Sequence, residues 1–310
     1  MYDMYDVIII GGGPAGATAA VYTARSRLNT LVLDKAPNTG ALALTHKIAN
    51  YPGIAEALSG KELLDRIRDQ AAGFGAKFKQ TTITAVDLDG PTKYVFTAEG
   101  IYEAKAVIIA TGSKGRNRML PGEEKLLGRG VSTCATCDGA FFEGKEIAVV
   151  GDSEEALDEV MALDKLAAKV HFIIPRGELQ GVEALPELSR TQYYFKARPQ
   201  EVAGEERVEG LRVKMASGAE QTLPVEGVFV FLSGSKPGTD FLEGQVPLDE
   251  SGYMILDEYM QSPVPGVFGA GEVRRSPVKQ AIVAAADGAI AAMAADKFIH
   301  RREQVIPQYK

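Results

Sequence analysis

A compact β-branched run from Tyr5 to Ile10 meets Gly11-Gly12-Gly13-Pro14-Ala15-Gly16, and an Ala-rich stretch of helical composition continues to about Arg27. Strand, glycine loop and helix in this order constrain the fold more than any other feature, because such a unit returns through a second parallel strand. The run Thr30 to Leu33 supplies that strand and ends in Asp34, roughly 20 residues beyond the loop, where a ribose hydroxyl needs an acceptor. Gly11 suits the tight turn, Gly13 lets backbone N–H groups approach a pyrophosphate, and Gly16 allows close helix packing. A ligand-free glycine turn is the plainer alternative, and it leaves Asp34 without a role.

The pattern then repeats. Leu63, Leu64, Ile67 and Ala71 form a helical stripe within Gly60 to Phe74, and short alternating runs at Thr82 to Val86 and Tyr94 to Thr97 read as a small β meander. Ala106 to Ala110 is a buried strand ending in Thr111-Gly112, and a second strand, loop and helix follow at Glu146 to Val150, Gly151 to Ser153 and Glu154 to Leu166. Lys169 to Ile174 and Gly227 to Leu232 are further strands, Pro237-Gly238 is a connector, and Gly269-Ala270-Gly271-Glu272 precedes an Ala-rich helix from about Val278 to Phe298. This closing segment resembles the chemistry of the first domain. The expected fold is α/β, with two Rossmann-like, three-layer ββα dinucleotide-binding domains, the second inserted into the first. Residues 1–113 and 242–310 form one domain and 114–241 the other.

A chain of 310 residues buries two cores without a disulfide staple. The net charge of -7 gives no electrostatic reason to bind nucleic acid or an anionic membrane. Two acids stand where a secretory signal needs basic residues, and no run is long enough to span a bilayer, so a cytoplasmic protein with reduced thiols is expected.

Against that background the two cysteines stand out, because Cys134 and Cys137 are separated by two residues. At this spacing the sulfurs can form a small exchangeable disulfide, and one thiolate can be stabilised by its local field. Half of a zinc site is the alternative, but zinc needs four ligands, and His46, His171 and His300 are scattered singly. Two inert thiols are a third reading. Asp138 follows the pair and could carry a proton for a departing thiolate if burial raises its pKa; it could equally be a turn residue before Gly139.

The first loop, Asn50-Tyr51-Pro52-Gly53, Ala110-Thr111-Gly112, Cys134-Ala135-Thr136-Cys137-Asp138-Gly139, and Gly269-Ala270-Gly271-Glu272 with Lys279-Gln280-Ala281 together resemble, in order and spacing, the low-molecular-weight thioredoxin reductases. The resemblance spans essentially the whole chain. It implies an FAD-dependent homodimer whose flavin is held by Gly11, Gly13, Pro14, Ala15, Gly16, Asp34, Lys35, Asn50, Ala110, Thr111, Gly112, Gly271, Glu272, Lys279, Gln280 and Ala281. It also implies that Cys137 faces the flavin, Cys134 attacks a partner disulfide on a thioredoxin-like protein, and Asp138 is the acid and base. Two departures touch the flavin site: Glu272 replaces the usual Asp, and Thr39-Gly40-Ala41-Leu42 replaces the usual Gly-Gly-Gln-Leu.

A larger departure lies in the second loop, where the family's Gly-x-Gly-x-x-Ala falls on Gly151-Asp152-Ser153-Glu154-Glu155-Ala156. Ser153 impairs close backbone approach, and Asp152, Glu154 and Glu155 bring the chain's own anions to the helix start. Two like charges at 4 Å repel by about 4 kcal/mol at an effective dielectric near 20. Ordinary capping by Ser153 or Asp152 explains the same residues and leaves the helix end satisfied. The family's arginine cluster for the 2′-phosphate is reduced to Arg176 in Ile174-Pro175-Arg176-Gly177-Glu178-Leu179-Gln180. NADPH is therefore not the expected reductant.

The chain thus resembles the pyridine-nucleotide-independent branches, either ferredoxin-dependent flavin thioredoxin reductases or diflavin-linked disulfide oxidoreductases. In the first, ferredoxin is the donor. In the second, another FAD occupies the inserted domain, where Tyr193-Tyr194-Phe195 could stack on it or could simply be strand core, and electrons could run from dithiol to flavin. The tail with Tyr309 could cap the flavin or fray. A ferredoxin-NADP reductase lacks the paired cysteines, and a non-catalytic redox sensor leaves Asp138 without a task.

Overall fold

In a computed structural model of the chain, residues 4–38, 40–45, 47–114, 119–232, 236–276 and 278–305 are described, the side chains of Thr136 and Cys137 excepted. β1 (Met4–Ile10) is buried on both faces: Val7 and Ile9 pack with Ala19 and Ala20 of α1 (Pro14–Arg25), and Ile8 and Ile10 pack on the other side of the sheet. Two buried faces explain a continuous apolar run in place of an alternating one. β2 (Thr30–Asp34) lies parallel to β1, with Leu33 beside Ile10, so the loop and Asp34 meet at the carboxyl ends of neighbouring strands. α2 (Gly60–Gly73) starts at a capping box in which Ser59 accepts from the Glu62 N–H and Glu62 accepts from the Ser59 N–H.

β3 (Lys77–Gln80) extends the sheet outward from β2 in parallel. Its sequence, KFKQ, is too polar to announce a buried strand. β4 (Ile83–Asp87), β5 (Lys93–Thr97) and β6 (Gly100–Ile109) form an antiparallel meander, and β6 returns parallel to β1. β7 (Ser113–Lys114) ends this part of the chain.

The second unit opens with α3 (Glu123–Leu126), β8 (Val131–Ser132) and α4 (Ala135–Asp138). β9 (Glu146–Gly151), α5 (Glu154–Asp164) and β10 (Lys169–Ile174) form its βαβ unit. β11 (Thr191–Phe195) follows, then a meander of β12 (Arg198–Ala203), β13 (Gly210–Lys214) and β14 (Glu220–Leu223), and then β15 (Gly227–Phe231). The parallel sheet runs β11-β10-β9-β15-β8. One of its faces takes Leu157, Val160 and Leu163 of α5, and the other takes Val202, Leu211 and Val213 of the meander, which gives the three ββα layers.

β16 (Lys236–Pro237) pairs antiparallel with β7, and β17 (Val267–Gly269) adds to the second half of β6. α6 (Ala281–Ile299) then lies against α1 so closely that a Cβ on Gly288 would stand 2.0 Å from the Ala15 carbonyl oxygen. α6 begins at Ala281, later than Val278, because Gln280 is extended. Residues 1–45, 51–114 and 236–310 form one compact unit, and 46–50 with 115–235 form the other. The second crossing falls at 235/236, ahead of the expected 241/242, because β16 is held by β7. Among the described residues no helix is long and apolar enough to cross a membrane.

Candidate functional site

The first loop is shaped by contacts that exclude side chains on one side and leave room on the other. Gly11 has φ +103, and a Cβ there would lie 2.3 Å from the Ala110 carbonyl oxygen; at Gly16 it would lie 1.8 Å from that of Gly11. Gly13, the N-cap of α1, has nothing within 4 Å of a built Cβ. No side chain caps α1, Pro14 occupies its first turn, and that turn carries no acid. An uncapped helix start beside open space is a ready anion site.

Asp34 is fixed at the rim of this loop: its carboxylate accepts from the Gly12 N–H at 2.9 Å and the Ala36 N–H at 3.0 Å, with the Arg68 guanidinium 3.5 Å away. Lys35 follows it directly. Ala110, Thr111 and Gly112 leave β6 in the next position, where the Thr111 hydroxyl donates to the Gly238 carbonyl at 2.8 Å and Gly112 has φ +65. Gly271 turns with φ +74 beside the start of α1, a Cβ there standing 3.1 Å from that of Ala15. The buried Asp287 accepts from the Gly271 N–H at 3.2 Å and binds Arg274 through two hydrogen bonds of 2.8 and 2.7 Å. Glu272 accepts from the Ser113 hydroxyl, and Lys279, Gln280 and Ala281 lead into α6.

The sequence-derived flavin residues other than Asn50 therefore belong to the first unit, while Asn50 belongs to the second. An open pyrophosphate cradle with an oriented ribose acceptor fits FAD. Sequence reasoning missed Arg274 and Asp287, whose pairing across 13 residues has no local signal.

The second loop has the opposite character. Ser153 is the N-cap of α5 and accepts from the Ala156 N–H at 3.4 Å. The Glu154 N–H donates to the Gln180 carbonyl at 3.0 Å, and the Gln180 N–H donates to the Asp152 carbonyl at 3.0 Å. Arg176 stands 3.7 Å from the buried carboxylate of Asp152, and Glu154 and Glu155 fill the first turn. This helix end is capped, crossed by a neighbouring chain segment and acidic, so its residues do not fit a dinucleotide pyrophosphate in the pose that the first loop offers.

Cys134 is disulfide-bonded, and the sequence contains one other cysteine. It immediately precedes α4. The buried Ser132 hydroxyl accepts from the Cys134 N–H at 3.1 Å, and Glu159 of α5 accepts from the Ala135 N–H at 2.8 Å. The Asp138 N–H closes the turn on the Cys134 carbonyl at 3.1 Å. Burial pushes the Asp138 carboxyl above its ordinary pKa, opposed by a hydrogen bond with Ser132. A cavity of about 290 Å³ borders Asp138, Ser132, Lys47, Phe141 and Phe142. Neither Ser132 nor Glu159 was singled out by sequence reasoning.

In the aromatic run, the Tyr193 hydroxyl donates to the Pro186 carbonyl at 2.7 Å, and Tyr194 meets His171 Nδ1 at 2.9 Å. Phe195 is exposed and stacks on Tyr193. Thr39, His46 and Tyr309 lie outside the described residues. Among the described residues no group of three or more His, Cys, Asp or Glu is placed to hold a metal ion.

An open nucleotide loop in one dinucleotide-type unit and a disulfide in the other define an oxidoreductase of the flavoprotein disulfide class. Residues 5–288 match the family model of the pyridine nucleotide-disulphide oxidoreductases, and the chain belongs to this family as a thioredoxin reductase-like flavoprotein. It is 44% identical over 312 residues to a thioredoxin reductase of Aquifex aeolicus, covering 99% of this chain and 97% of the relative. Among solved structures, a thioredoxin reductase from Gloeobacter violaceus is 48% identical with a TM-score of 0.60, covering 99% of this chain and 98% of that one. A ferredoxin-flavin thioredoxin reductase from Clostridium acetobutylicum is 29% identical with a TM-score of 0.53, covering 97% and 100%.

Proposed function

We propose that the chain is an FAD-dependent disulfide oxidoreductase that exchanges electrons between flavin and the Cys134/Cys137 pair, and between that pair and a thioredoxin-like protein, without using NADPH. The contrast between the two helix starts carries the reading. α1 opens on an uncapped, acid-free turn, whereas α5 is closed by Ser153, by the Gln180 carbonyl and by its own acids.

Gly11, Gly13, Pro14, Ala15 and Gly16 hold the pyrophosphate, Asp34 with Lys35 the ribose end, and Asn50, Ala110, Thr111, Gly112, Gly271, Glu272, Lys279, Gln280 and Ala281 the remainder of the cofactor. Bound FAD supplies two-electron chemistry to the disulfide. Cys137 is the flavin-facing sulfur, Cys134 attacks the partner disulfide, and Asp138 delivers the proton to the leaving thiolate. The raised pKa of Asp138 supports the acid role and favours an enzyme over a passive sensor. The reading places a homodimer in the cytoplasm. The ferredoxin-flavin enzyme among the structural relatives supports a one-electron protein donor.

The exposed ring of Phe195 favours a second reading, a diflavin enzyme with FAD on the inserted domain, although Tyr193 and Tyr194 are engaged elsewhere. The test is anaerobic turnover of a thioredoxin disulfide with reduced ferredoxin, together with flavin counted per chain. Turnover at one flavin per chain is expected. A ratio of two selects the diflavin reading, and a colourless protein that cannot be reconstituted overturns both.

A further inference from the structure

The residue immediately after Cys134 gives its N–H to a carboxylate. Glu159, on α5, reaches α4 and accepts from Ala135 at 2.8 Å, and the two helices pack together. Unsatisfied N–H groups at the start of a turn ordinarily stabilise a cysteine thiolate there, and thiolate stabilisation favours the dithiol over the disulfide. Here the first of those groups is engaged, and a negative charge takes its place. Among the described residues, Asp138 stands at the end of α4 and lines the same cavity as Lys47, and Glu155 lies one turn before Glu159 on α5.

We propose that Glu159 is a charge-setting and positioning residue for the pair, which raises the proton affinity of the Cys134 thiol when the disulfide opens and so makes the dithiol a stronger reductant. The half-reaction adds two electrons and two protons to the disulfide and leaves two thiols. Glu159 opposes loss of the proton from the Cys134 thiol, so the reduced form gains less from ionisation. This inference rests on the proposed redox cycling of the pair and assigns to Glu159 a role that acts through Cys134.

The experiment compares FAD-loaded wild type, Glu159→Gln and Glu159→Asp. Glutamine still accepts from the Ala135 N–H but carries no charge, and aspartate keeps the charge. In a Cys137→Ser background, the pH midpoint of Cys134 alkylation should fall by about one unit in Glu159→Gln. With the pair intact, equilibration against reduced and oxidised dithiothreitol at a pH one unit above the wild-type alkylation midpoint, followed by alkylation and mass measurement, should show reduction favoured at least fivefold over wild type. Glu159→Asp should stay within twofold of wild type in that equilibrium. A Glu159→Gln protein within twofold of wild type, with an unshifted alkylation midpoint, overturns the inference while leaving the redox reading standing. A wild-type pair that never cycles with the flavin overturns the redox reading and this inference with it.

Discussion

The backbone N–H of Glu154 donates to the carbonyl of Gln180 across 3.0 Å. This one bond occupies a helix-start donor of α5, the kind of group that in α1 is left uncapped beside the open space at Gly13. Two units built on the same strand-loop-helix plan thus present opposite electrostatic ends. One can receive a phosphate, and the other is satisfied from within.

Gly13 and Gly16 separate ligand binding from folding. Gly13 has an ordinary φ of -71 and clear space around a Cβ, so Gly13→Ala should fold normally. Its methyl group projects into the cradle and should weaken FAD at least tenfold, about 1.4 kcal/mol. Gly16→Ala, whose Cβ would stand 1.8 Å from the Gly11 carbonyl oxygen, should lose stability as well. Flavin absorbance per chain and urea unfolding of the apoprotein check the pair.

Asp138→Asn should slow disulfide exchange by about 10²-fold, the usual contribution of a positioned acid. The wild-type rate should fall as pH rises through the raised pKa of Asp138, because only the protonated carboxyl can donate, and the variant should lack this limb. The stability sign is opposite to that of a salt-bridged carboxylate. A raised folded pKa stabilises the fold below the ordinary value of 3.8, and that contribution disappears as pH climbs through the folded pKa. Asp138→Asn should therefore gain in unfolding free energy relative to wild type on going from pH 3 to pH 7, which paired urea titrations measure.

Asp287→Ala leaves Arg274 without its bidentate partner and frees the Gly271 N–H. Breaking a buried pair costs about 3 kcal/mol, somewhat less here because Arg274 is partly exposed. Loosening of the Gly271–Glu272 turn should also lower flavin retention on gel filtration. Unchanged stability and flavin content would contradict this positioning role.

The first site was legible because its determinants are local. Gly11 to Gly16 dictate the turn and the close approach within six residues, and Asp34 follows from the length of one βαβ unit. The acidic second loop was equally plain, including Ser153 as its cap. The closing strap at Gln180 was not, because it depends on where the chain after β10 crosses α5, and no periodicity encodes that path. Ser132 and Glu159 were invisible for a related reason: both look like ordinary surface-type polar residues until β8 and α5 bring them to the start of α4. The unit limit was displaced by β16, a strand of two residues recognisable only through its pairing with β7.

The most direct measurement is anaerobic stopped-flow mixing of the FAD-loaded protein with millimolar NADPH, followed at the visible absorption band of the flavin, with reduced ferredoxin in a parallel syringe. The account predicts a band unchanged by NADPH and bleached by ferredoxin, with two thiols appearing per chain. Rapid bleaching by NADPH would contradict it.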